Sequence, residues 1–246
     1  MKKLKIGIIG VGRLGYEHAC NIANRVPGSE LVAIADTNFD RAKQIAEELG
    51  VTAVYNDPKA LCADPNVEAV AIITNTASHV EMIKIAMDAG KHVFCEKPLA
   101  DTVEKCKEAE AIIAAHPELT FMLGFMRRYD HSYQVAKKKM ENGDIGDVIL
   151  VRCYSQDPIS IIEGTLEYAP RSGGQFIDMS IHDFDLIRWL TGSEVKELWA
   201  TGGCYEFKQY KDWDDGDNVS GLMKMENDAM AFFFAGRAAA HGSHVE

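Results

Sequence analysis

Three groups of residues in this chain of 246 have types and spacings that could do chemistry. The first is Gly10-Val11-Gly12-Arg13-Leu14-Gly15, a GxGxxG run, with Asp36 lying 21 residues beyond Gly15. Alone such a run is a weak signal, and a glycine turn that binds nothing is its bland reading. Here it ends a predicted strand and opens a predicted helix, and an acid closes the next strand, which is the context a dinucleotide fingerprint needs. Gly10 permits the tight turn, Gly12 lets the backbone approach a pyrophosphate, and Gly15 lets the helix pack closely on the strand. Arg13 and Leu14 open the helix, whose N-terminus favours phosphate charge. Asp36 would accept hydrogen bonds from adenosine ribose hydroxyls. A 2′-phosphate there would face like charge, with no cation in Thr37-Asn38-Phe39 to compensate. The pattern predicts NAD rather than NADP.

The second group lies at strand ends. Thr74 and Asn75 follow a strand predicted over Val67–Ile73, and ligands of parallel sheets sit beyond the carboxyl ends of strands, so this turn should border the cofactor. Capping of the next helix by Thr76 or Ser78 is the structural reading, and His79 reads as a helix-start residue. Glu96 and Lys97 follow the strand His92–Cys95. Lys97, pinned by Pro98, is placed to face a ligand, and the Lys97–Pro98 bond is open to a cis form. Taken alone, Lys97 reads by default as a surface lysine.

The third group is Asp178, His182 and Asp185. On a helix predicted over Gly174–Leu190 these positions share one face, between apolar flanks that include Ile177, Ile181, Ile187 and Leu190. A polar stripe on a buried helix needs partners. A histidine with a carboxylate to orient it is a general acid–base unit, and a satisfied structural His–Asp pair is the alternative. No other His/Cys pair stands at metal-ligand spacing, so no metal is expected. The acidic run Asp212–Asp217 has its glycine at loop position five and Met223 at twelve, which excludes an EF-hand and leaves a solvated loop.

Elements must hold these groups in place. Short apolar runs at Leu4–Ile9, Glu30–Ala35, Val67–Ile73, His92–Cys95 and Thr120–Leu123 alternate with helical patterns at Leu14–Arg25, Phe39–Leu49, Ser78–Ala89 and Val103–Ala115. Such alternation implies a doubly wound parallel sheet. After Gly124 the pattern changes to a helix (Tyr129–Glu141), a strand (Val148–Gln156) and an irregular loop to Arg171. The helix over Gly174–Leu190 follows, then strands at Glu194–Gly203, Asn218–Glu226 and Ala229–Ala235. Grouped strands predict an α+β half with a mainly antiparallel open sheet. The expected domains are therefore residues 1–124 and 125–246.

Composition narrows the classes. Lys and Arg total 26 against 37 Asp and Glu, a net charge of −11, which supplies no basic footprint for nucleic acid or an anionic membrane. The six cysteines include no CxxC pair, which excludes a zinc ribbon or thioredoxin-type motif. The N-terminal run is broken by glycines and followed by Arg13 and Glu17, unlike a signal peptide, and no apolar stretch reaches membrane length. The chain reads as cytoplasmic.

The Gly10–Gly15 run, AGKHVFCEKPLA (89–100), GFMRRYD (124–130) and GGQFIDMSIHDFDLIRWLTG (173–192) together resemble the Gfo/Idh/MocA oxidoreductase family, most of all its inositol 2-dehydrogenase branch. The resemblance implies an N-terminal Rossmann domain and a C-terminal domain for substrate and oligomerisation. It implies NAD-dependent oxidation of a secondary hydroxyl of a cyclic polyol or sugar, myo- or scyllo-inositol first. It assigns catalysis to Lys97, Asp178 and His182. His182 would be the base, Asp178 its orienting group, and Lys97 the donor to the developing alkoxide. Asp157 and Arg127 become candidate contacts for polyol hydroxyls, with Arg171 a third that could equally anchor its loop. Family chains continue past residues 236–242, so the second domain reads as shortened, with an unpaired sheet edge; the open sheet face implies a dimer or tetramer. Two other functions fit the fingerprint: a glycoside hydrolase that oxidises its substrate transiently with NAD, and a non-catalytic NAD-binding protein.

Overall fold

In a parallel sheet each strand hides both faces, so its residues must be apolar on both sides, and the strands of the first half are. In the computed structural model, which describes residues 2–245, the chain divides into two compact units, Met1–Gly124 and Phe125–Glu246. The first unit runs β1 (Leu4–Ile9), α1 (Arg13–Asn24), β2 (Ser29–Ala35), α2 (Phe39–Leu49), β3 (Ala53–Tyr55), α3 (Pro58–Ala63), β4 (Ala69–Ile72), α4 (His79–Asp88), β5 (His92–Cys95), α5 (Val103–Ala114) and β6 (Phe121–Leu123). Its six strands are parallel, in the order β3-β2-β1-β4-β5-β6. Neighbouring residues point to opposite faces, so Ile9, Val70 and Ile72 enter one core while Ile8, Ile34 and Ala71 enter the other. The order turns back between β1 and β4, and the loops after Ile9 and Ile72 flank that switch point.

Two elements here lie outside the sequence-based expectation, β3 and α3. Both are too short to display a period. The start of α3 does carry a local signal: Asp57 accepts from the Lys59 backbone N–H at 3.0 Å and Pro58 fills the first turn.

The second unit opens with a 3-10 turn, Met126–Tyr129, and continues through α6 (His131–Glu141), β7 (Leu150–Pro158), α7 (Ile162–Tyr168), α8 (Gln175–Asp178), α9 (Ile181–Thr191), β8 (Val195–Gly203), β9 (Asn218–Met225), β10 (Met230–Ala239) and β11 (His244–Val245). The sheet order is β11-β7-β10-β9-β8. β7 and β10 pair in parallel and the other three pairings are antiparallel, so the sheet is mixed. Helix α9 packs on one face, where Leu186, Ile187, Cys153, Met223 and Phe233 form the core and Phe184 meets Phe233 edge-on at 4.9 Å. On the other face Trp199, Leu222 and Met230 are each more than half exposed. Among the described residues no helix is long and apolar enough to cross a membrane.

Three expectations are corrected. The loop to Arg171 contains α7, between 3-10 turns at Ile159–Ile161 and Ala169–Arg171. The helix expected over Gly174–Leu190 is two helices, interrupted at Met179-Ser180. The acidic run is a solvated loop only in part: Asp212 and Asp214 are exposed, but Lys208–Trp213 is a 3-10 turn and Asp217 is wholly buried. The Asp217 carboxylate accepts the backbone N–H groups of Tyr205 (3.0 Å), Glu206 (2.7 Å) and Phe207 (2.7 Å) and the side-chain amide of Asn218 (2.9 Å). Burial pushes its acidity down, but these donors outweigh it and hold the carboxyl below its usual range.

A group whose pKa is depressed by folding stabilises the protein above its unfolded pKa and loses that contribution as pH falls. Asp217→Asn, which turns an acceptor into a partial donor facing three N–H groups, should lower unfolding stability by about 2–3 kcal/mol at neutral pH. The difference from wild type should begin to narrow below roughly pH 4, where the unfolded carboxyl takes up a proton, and vanish only once pH falls through the lower pKa of the folded one. Urea denaturation at both pH values measures it.

Candidate active site

The turn from β1 to α1 is shaped by what cannot fit there. Gly10 has φ +90°, and a Cβ on it would lie 2.5 Å from the Ile73 carbonyl oxygen. A Cβ on Gly15 would lie 2.1 Å from the Gly10 carbonyl oxygen, so α1 rests directly on the exit of β1. Gly12 differs: a Cβ there would meet nothing within 4 Å. That space lies at the start of α1, which has no side-chain cap and no acid in its first turn. Exposed N–H groups at a helix N-terminus, faced by room for a ligand, suit a pyrophosphate. Asp36 stands beside them, taking the Val11 N–H on one oxygen (2.7 Å) and the Asn38 N–H on the other (2.7 Å). Its carboxylate is thus fixed at the end of β2, with lone pairs left for ribose hydroxyls. The residues fit NAD.

The loop after β4 is held from below. The Ser78 hydroxyl donates to the Asn75 carbonyl (2.9 Å) and can accept from the Thr74 hydroxyl (2.8 Å). Neither Thr76 nor Ser78 makes the capping bond that sequence allowed. His79 is buried, its Nδ1 2.8 Å from the Pro98 carbonyl and its Nε2 3.3 Å from that of Thr74. Burial lowers its pKa; a neutral ring carries one N–H and so donates to only one of these carbonyls, that of Pro98 being the closer. In that second loop the Lys97–Pro98 bond is cis and Lys97 is half-buried. Glu96 faces His18 at 2.9 Å and accepts the Lys97 backbone N–H at 3.0 Å. Burial disfavours its charge, but His18 and the Lys97 N–H prevail and keep the carboxyl below its usual range. An ionised carboxylate only accepts, so His18 Nε2 carries the proton.

In the second unit the interruption at Met179-Ser180 changes the geometry of the acidic stripe. Asp178 closes α8, and His182 is the second residue of α9, half-buried. The carboxylates do not share one face as expected; each meets a different arginine. Asp178 receives Arg237 Nη2 at 2.5 Å. Asp183, wholly buried, receives Arg127 Nη1 and the Ser155 hydroxyl (2.7 Å). Asp185 takes Arg128 in a two-pronged pair at 2.7 and 2.8 Å. Burial pushes the Asp183 carboxyl above its usual range, and Arg127 and Ser155 only partly offset this.

Arg127, expected as a contact for polyol hydroxyls, is buried, and its terminal nitrogens bind Asp183 and Ser155. Its charge answers a buried carboxylate. Arg171 is exposed on its 3-10 turn. Asp157, near the end of β7, pairs with Arg237 at 2.7 Å. Sequence reasoning missed Arg237 altogether. The signal was a single cation inside the apolar run Met230–Ala239, where a charge needs a partner. Among the described residues no cluster of three or more His, Cys, Asp or Glu side chains could hold a metal ion.

Residues 4–125 match the family described as an oxidoreductase family with an NAD-binding Rossmann fold, and residues 133–246 match the GFO/IDH/MocA C-terminal domain. The chain belongs to the Gfo/Idh/MocA oxidoreductase family. Among its relatives, myo-inositol 2-dehydrogenase of Thermotoga maritima is 37% identical over 97% of this chain and 70% of that protein. The scyllo-inositol 2-dehydrogenase (NAD(+)) of Bacillus subtilis is 34% identical over 99% of this chain and 70% of its own length. The crystal structure of scyllo-inositol dehydrogenase from Lactobacillus casei with bound NAD(H) and scyllo-inositol is 41% identical, with a TM-score of 0.93. It covers 99% of this chain and 72% of that one.

For this family member the cradle makes a cofactor prediction. Asp36→Ser removes both the ribose acceptor and the charge that repels a 2′-phosphate. NAD affinity should fall about 10- to 100-fold, the worth of a charged hydrogen bond. The preference for NAD over NADP should shrink by more than that. Fluorescence titration with NADH and NADPH reads both.

Proposed function

We propose that this chain is an NAD-dependent dehydrogenase that oxidises a secondary hydroxyl of an inositol, myo- or scyllo-, to the ketone. One observation carries the reading: a likeness to inositol dehydrogenases runs through both units, reaching 99% of the chain in the case that holds NAD(H) and scyllo-inositol. The nucleotide cradle and the half that bears Asp178 and His182 are therefore matched together. NAD, when bound, supplies the hydride acceptor. The chain's own residues do the rest. The N–H groups at the start of α1 hold the pyrophosphate and Asp36 holds the ribose. Neutral His182 takes the proton from the substrate hydroxyl, Asp178 orients the imidazole, and the Lys97 ammonium donates a hydrogen bond to the oxygen as its negative charge develops. Thr74, Asn75 and Glu96 border the cofactor, and Asp157 accepts from a ring hydroxyl.

The residue roles, the oligomeric state and the compartment are part of this proposal. Trp199, Leu222 and Met230 on the uncovered face of the second sheet, flanked by Tyr154, Phe232 and Phe234, suit pairing with a second copy of the chain. Six free cysteines suit a reducing cytoplasm.

NADH absorbance with myo- and scyllo-inositol tests the activity. A chain that binds NAD yet yields no NADH with any cyclic polyol or sugar does not have this function. Release of a nitrophenol from a glycoside without net NADH would instead mark the hydrolase. Lys97→Met should lower kcat by about 100-fold or more while NAD affinity stays within a few-fold, because the lost hydrogen bond is one made to the transition state. A fully active Lys97→Met variant removes Lys97 from the chemistry. Trp199→Glu should shift the mass measured by light scattering toward a monomer.

A further inference from the structure

Arg237 lies on β10, 5% exposed, and its backbone N–H donates to the Asp217 carbonyl at 3.0 Å. Each of its three guanidinium nitrogens has its own acceptor. Nε donates to Gln175 Oε1 at 2.6 Å, Nη1 to Asp157 Oδ2 at 2.7 Å, and Nη2 to Asp178 Oδ2 at 2.5 Å. Gln175 and Asp178 are the first and last residues of α8, and Asp157 is near the end of β7. A planar fork with all three nitrogens engaged fixes its partners more tightly than an ammonium could. The N-terminus of α8 is held as well, by the Asp215 carboxylate on the Gln175 N–H at 3.0 Å.

The geometry points to Arg237 as a positioning residue for the oxidation: it keeps the Asp178 carboxylate anionic and aimed at the end of α8, four positions before His182, and locks Asp157 to the same fork. This rests on the reading that Asp178 and His182 carry the proton chemistry. Arg237 is the cation joining two carboxylates in a largely buried place. Asp217, Asp215 and the buried Tyr210 ring stand nearby, so acidic groups dominate the surroundings. Burial works against the Arg237 charge, yet Asp178 and Asp157 outweigh it. Without the cation, two carboxylates would share a low-dielectric site, and one of them would hold a proton to higher pH. A protonated Asp178 donates where it should accept, and it no longer supports the charge that His182 gains on taking the substrate proton.

The test is the pH dependence of inositol oxidation by the full chain. Arg237→Gln should lower kcat by about 100-fold near neutral pH and move the acid limb of kcat upward by roughly one pH unit or more, with NAD affinity within about twofold of wild type. Arg237→Lys keeps the charge and loses the fork; its acid limb should stay in place while kcat falls by about tenfold. An Arg237→Gln protein that is folded by circular dichroism and keeps the wild-type acid limb overturns the proposal, whatever its melting temperature, because a purely structural pair would change stability and not the limb. Where Arg237→Gln does not fold, Arg237→Lys decides: wild-type kcat in that variant overturns the proposal, and a tenfold loss with an unmoved limb supports it. Failure of the dehydrogenase reading itself is separate, since it shows as absence of NADH in the wild-type control.

Discussion

The second unit depends on the pairing of buried charge. Within the short segment from Asp178 to Asp185, three carboxylates face away from water, and each is met by a different arginine: Arg237, Arg127 and Arg128. An unpaired carboxylate in such a place would give up its charge or unfold its surroundings. These pairs join distant parts of the chain. Arg127 and Arg128 lie on the 3-10 turn that opens the unit, and Arg237 lies on β10. Helix α8 is thereby tied to the sheet and α9 to the opening turn by directional contacts, beside the apolar packing of Phe184 on Phe233.

The first unit meets a related demand by other means. The donors on offer there for phosphate charge are backbone N–H groups at the uncapped start of α1, which suffice only where the backbone comes close enough. That closeness is a matter of missing atoms. At Gly10 and Gly15 a Cβ would collide with a carbonyl oxygen, whereas at Gly12 it would meet nothing within 4 Å, leaving room of the kind a pyrophosphate needs. Asp36 and His79 then fix the loops on either side, one by accepting two backbone N–H groups and the other by donating its single N–H to a carbonyl.

Much of this was legible from local pattern. The parallel strands showed as short apolar runs, and the nucleotide cradle showed as a glycine spacing with an acid at the next strand end. Both are local signals, because a strand buried on two faces and a turn of fixed shape constrain adjacent residues. Short elements such as β3 and α3 were not legible, since a period needs more residues than they have. The break at Met179-Ser180 was hidden for a different reason: both halves of the segment keep helical spacing, so the period runs through the interruption. Asp217 looked like a surface acid because composition cannot reveal which backbone N–H groups fold over a side chain.

By itself the sequence determined the chemical types: a glycine turn with the spacing of a dinucleotide cradle and an acid that favours NAD; the lysine, aspartate and histidine stood out as a catalytic set only through the family resemblance. Family membership was carried by those same local motifs. Only the tertiary structure decided which charges are partners. Asp157, Asp178 and Arg237 are separated by up to 80 residues along the chain yet meet within 2.7 Å. An ion pair leaves no periodic trace in sequence, because its free energy depends on burial and distance, and both are set when the sheet and helices close around it.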